Sequence, residues 1–88
     1  GVNLVVDASH YDRMKQLVTD IHTTLQTSLK QMYDVLLFIS NNINSLKVPN
    51  VIYKKYVEGL MIDVDLMKNR AKKLQTEVTL ESTLKSAN

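Results

Sequence analysis

The 88-residue sequence has no cysteine and no tryptophan, a single proline, two glycines and one phenylalanine. Without cysteine there is neither a disulfide framework nor a thiolate metal site. So little Gly and Pro is too little punctuation for an all-β fold, which needs a turn every few residues. No apolar run approaches the roughly 18 residues of a membrane-spanning helix. An excess of one charge is also missing: 11 Lys and Arg against 9 Asp and Glu give a formal net charge of +2. That balance does not by itself imply a nucleic-acid partner. The opening Gly1-Val2-Asn3 has no basic segment ahead of an apolar one, so it does not read as a signal peptide. With no initiator Met, it reads as a processed chain or a fragment. What the sequence does have is 44% hydrophobic and 23% charged residues, the composition of a folded chain rather than a disordered one. Its length allows one domain.

The one strong break in the pattern is Leu46-Lys47-Val48-Pro49-Asn50. Pro49 has no amide hydrogen and disfavours helical geometry at Val48. Asn50 can cap a new helix, because its side-chain oxygen accepts from an amide that has no helical partner. Before the break, apolar residues recur at Met14, Val18, Ile21, Leu25, Leu29, Met32, Leu36, Ile39, Ile43 and Leu46. The mean step of about 3.6 is helical. After it, Tyr53, Val57, Leu60, Val64, Met67, Ala71, Leu74 and Val78 step 4-3-4-3-4-3-4, an uninterrupted heptad with Val57, Val64 and Val78 at a and Leu60, Met67 and Leu74 at d. The pattern predicts an N-terminal arm over 1–8, a first helix over 9–46, a break at 47–50 and a second helix over 51–86. Two arms of nearly equal length around a short break predict an all-α chain folded as a long antiparallel two-helix hairpin. An interrupted rod pairing with another chain is the alternative.

A two-helix hairpin has one internal seam, and this sequence carries more apolar surface than one seam can bury. Close to the break, Val35, Leu37 and Phe38 lie outside the first helix's seam; Ile52, Gly59, Met61, Ile62 and Leu66 lie outside that of the second. These eight residues are expected to form an apolar collar that packs on further helices, by self-association or with other helical chains. Gly59 lowers helix stability by about 0.8–1 kcal/mol relative to Ala. It is either merely tolerated or allows another backbone to approach closely.

Candidate chemistry is sparse. His10 and His22 have no converging partners of the kind a zinc site needs and read as helix-surface residues. Asp63 and Asp65, two apart, diverge on a helix. No nucleophile has a supporting environment, so neither enzymatic activity nor a cofactor is expected. Lys68, Arg70, Lys72 and Lys73 form the one basic run and could meet anionic groups on a membrane surface or a phosphate ligand. The heptad continues through Ala71 and Leu74, however, so solvated flanks are the simpler reading. No aromatic residue is interleaved for base stacking, which disfavours nucleic acid.

The Trp-x-Gly turn of one family of secreted bacterial hairpins is absent, as is the Pro-Ser-Asp-Pro turn of type III secretion needle subunits. Heptad spacing resembles that of short coiled-coil subunits of eukaryotic tethering and scaffold complexes, but it is too common to name a family. The expectation is therefore a non-enzymatic interaction and assembly module, a subunit or fragment of a larger coiled-coil complex, in an intracellular and cytoplasmic setting. A membrane-surface or phosphate-binding adaptor is the first alternative, and an exported bacterial hairpin the second.

Overall fold

The computed structural model describes residues 8–46 and 50–87, with side chains described as far as Leu80. The expected arm, apart from Ala8, and the Lys47-Val48-Pro49 part of the break lie outside the described residues. Two helices account for the fold: α1, Ala8–Ile43, and α2, Val51–Ala87. They pack on each other as an all-α hairpin. At 1.5 Å per residue each is roughly 55 Å long, in keeping with a molecule measuring 62 × 37 × 17 Å.

The ends of the helices beside the break follow local chemistry. Asn42, Asn44 and Ser45 are weak helix formers whose polar groups compete for the backbone. Asn42 Nδ2 donates to the Phe38 carbonyl at 2.7 Å and Ser45 Oγ to the Asn41 carbonyl at 3.2 Å. The chain then leaves the helix in a turn in which the amides of Ser45 and Leu46 donate to the carbonyls of Asn42 and Ile43, each at 3.1 Å. At the start of α2, Asn50 Oδ1 accepts from the Tyr53 amide at 2.9 Å, the bond of an N-cap to the third residue of its helix.

The seam consists of two heptad stripes. On α1, His22, Gln26, Leu29, Tyr33, Leu36, Ser40 and Ile43 are all buried or half-buried. On α2 the corresponding stripe is Val57, Met61, Val64, Lys68 and Ala71, with Gln75 beyond it. The buried apolar residues are Leu29, Ile43, Val57, Val64 and Ala71; Leu29, only 2% exposed, sits with Val64 and Ala71 while Tyr33 and Leu36 pack against them. Toward the open end the seam becomes polar. His22 Nε2 donates to the Ala71 carbonyl at 2.7 Å, and Gln26 Nε2 donates to Gln75 Oε1 at 2.9 Å.

Two expectations change here. His22 is half-buried in the seam rather than on the surface. Most of the apolar stripe on α1 is also not in the seam: Leu25 is 47% exposed and Ile21 66%. α1 is rotated so that Leu29, Leu36 and Ile43 face α2, which leaves Met14, Val18, Ile21, Leu25 and Met32 exposed beside the contact.

Leu29→Ala should cost about 2–5 kcal/mol, because it empties a fully packed site, and Asn50→Ala about 0.5–2 kcal/mol through loss of the cap. Urea unfolding followed by helical circular dichroism measures both. Near-wild-type stability for Leu29→Ala would contradict this seam.

Candidate functional site

The two sides of the hairpin differ in chemistry. On one side an open groove of about 560 Å³ runs between the helices, lined by Ser28, Gln31, Met32, Val35, Leu36, Leu60 and Val64. The groove is the central part of a longer apolar face. Met14, Ile21, Leu25, Met32 and Val35 supply its α1 edge; Tyr56, Met67, Leu74 and Val78 extend its α2 edge beyond Leu60. All of them except half-buried Leu60 are exposed. Within each helix the residues of this face are offset by about 80° from the seam residues, at 3.6 residues per turn. Each helix therefore carries two adjacent apolar contact sectors, and the hairpin uses one of them.

The opposite side is polar. Gln26, Lys30, Asp65, Lys68, Asn69, Lys72 and Gln75 line one depression there. Two of its cations are engaged within the chain. Lys30 Nζ lies 3.2 Å from Asp34 Oδ2, and the Lys68 ammonium sits over the Tyr33 ring at 4.7 Å from its centroid, a cation–π contact. Lys68 and Lys72 of the basic run share this depression; Arg70 and Lys73 do not line it. Helical spacing sends Arg70 to the outer edge of the apolar face and Lys73 to the back of α2. The four cations do not converge on one point.

The eight collar residues are likewise divided. Val35 lines the apolar groove. Met61, expected outside the seam, is half-buried in it, and with Ile62, Tyr33, Glu58 and Asp65 it lines a depression on the polar side; helical spacing puts Leu37 on that side too. Phe38, 68% exposed, points away from α2, while Ile52, 83% exposed, Gly59 and Leu66 occupy the outer side of α2. The residues that form the continuous face, Ile21, Leu25, Met32, Leu60, Met67 and Leu74, were visible in the sequence as seam positions. What marks them as a separate surface is the rotation of both helices: α2 turns Met61 and Lys68 into the seam in place of Met67 and Leu74.

Among the described residues no three His, Asp or Glu side chains are grouped to hold a metal ion, and no helix is long and apolar enough to cross a membrane. A Cβ added at Gly59 would meet nothing within 4 Å, so the hairpin itself gives this glycine no packing reason. Gly59→Ala should therefore stabilise the isolated hairpin by about 0.8–1 kcal/mol. Thermal melting of the dilute protein checks this; a loss of stability would show that a neighbouring backbone does approach there. Comparison of the chain with protein-family models, curated proteins and solved structures finds no match.

Proposed function

We propose that the protein is a non-enzymatic helical assembly module that works by covering its apolar face with further helices. The observation that carries this reading is the face itself: a second heptad-spaced apolar sector on both helices, running along one side of the hairpin and left exposed. Contiguous apolar surface on this scale is characteristic of an association site. Helical bundles bury such sectors by placing a neighbouring helix against each. Partner specificity would come from the polar residues bordering the face, since a charge brought against the wrong neighbour costs more than a mismatched methyl group.

The adaptor alternative would use Lys68, Arg70, Lys72 and Lys73 against anionic groups. Their divergence around α2, and the engagement of Lys68 with Tyr33, favour the assembly reading. The proposal includes a cytoplasmic setting: cell fractionation should recover the protein in the soluble cytoplasmic fraction, whereas recovery from the medium would favour an exported hairpin.

The direct test is solution mass and melting temperature across a concentration series. The mass should exceed that of one chain at micromolar concentration, and the melting temperature should rise with concentration. Met32→Glu and Leu25→Glu place a charge in the buried contact and should reduce the mass to that of one chain. A single-chain species of high stability, melting independently of concentration, would overturn the reading.

A further inference from the structure

Building on the assembly reading, we propose that the occupant of the apolar face is a second copy of this chain, packed face to face with its turn at the opposite end, so that two hairpins make an antiparallel four-helix bundle. Three observations converge on this arrangement.

The first is angular. In both helices the exposed sector stands about 80° from the seam sector at 3.6 residues per turn. A helix in a square four-helix bundle meets its two neighbours about 90° apart, and one in a triangular bundle about 60° apart. The offset calls for two covering helices side by side. A hairpin of the same length supplies them, and the chain is such a hairpin.

The second is one of level. On α2 the exposed face runs from Tyr56 to Val78, with its midpoint at position 67. Positions 30 and 67 stand at one level of the hairpin, as Leu36 and Leu60 do where they line the groove together. A twofold axis through that level centres the α2 stripe and passes within the α1 stripe, which runs from Met14 to Val35. It sets Met67 against its own mate and Leu60 against Leu74; on α1, Leu25 meets Val35 and Ile21 meets Ile39. The surface available is sufficient: at their observed exposures the side chains of this face present on the order of 800–1,000 Å² per chain, about what each partner of a stable complex buries.

The third is charge. Asp63 and Arg70 are exposed on the outer edge of the α2 half of the face. Among the described residues neither forms an ion pair within the chain. The same twofold brings Asp63 of each chain level with Arg70 of the other, giving two symmetric attractive contacts. Turning the second copy so that both turns lie at one end would set α1 against α2 and forgo both contacts, which favours the antiparallel arrangement.

Because the chain has no cysteine, a single introduced thiol reports cleanly. Sedimentation of the full chain should give two chains per particle. Mild oxidation of the Met67→Cys variant should link most of it into covalent dimers, while the Lys73→Cys variant, on the outer side of α2, should stay unlinked. Asp63→Arg should weaken dimerisation roughly tenfold, and adding Arg70→Asp should restore it, with helical content unchanged in each. An assembly of another size, failure of the Met67→Cys variant to cross-link, or no rescue by the double exchange would overturn this arrangement and leave the assembly reading intact. A weakly folded single chain would do the same. A highly stable single chain would overturn both.

Discussion

A helix buries apolar surface only where another element lies against it, and a two-helix chain offers each helix a single neighbour. This limit shapes the whole molecule. α1 and α2 each carry an apolar arc wide enough for two neighbours, so whichever sector turns inward, the other stays in water. The hairpin turns Leu29, Leu36 and Ile43 toward Val57, Val64 and Ala71 and leaves Ile21, Leu25, Met32, Met67 and Leu74 on one flank. Both unused sectors fall on the same flank because the helices run antiparallel in one register. The exposed surface is therefore a single face rather than two scattered stripes.

The polar residues of the seam fit the same account. His22, Gln26, Lys68 and Gln75 occupy heptad positions that a coiled coil normally gives to apolar side chains, and each is engaged: His22 with the Ala71 carbonyl, Gln26 with Gln75, Lys68 with the Tyr33 ring. Polar groups at such positions cost stability but penalise other registers, because a slipped helix would leave them unpartnered. The register matters here because it determines which apolar residues of α1 and α2 share a level on the open face.

Much of the architecture was legible in the sequence. Pro49 and Asn50 mark the break, the arms are of similar length, and the period is helical throughout. The direction in which each helix faces was not legible. Their apolar residues span arcs too broad to point at one neighbour, and a period specifies spacing without specifying rotation. His22 and Gln26 look like surface residues beside Ile21 and Leu25, and only their contacts across to α2 reveal them as seam positions. The collar posed a related difficulty. Phe38, Leu37 and Val35 are close in sequence, yet at about 100° per residue they leave the helix on three different sides. Proximity along a helix does not make a patch.

The distribution of buried residues along the seam also has a kinetic consequence. Ile43 and Val57, both buried, adjoin the turn, whereas the open end is held by the amides of Gln26 and Gln75 and by one imidazole. Contacts near the turn close the shortest loops and sacrifice the least chain entropy. The hairpin is thus built to zip from Ile43 and Val57 outward, and to open from its tips first. Backbone amides around Val18 and Val78 belong to the part that opens most cheaply, and those around Leu29 and Val64 to the part that opens last.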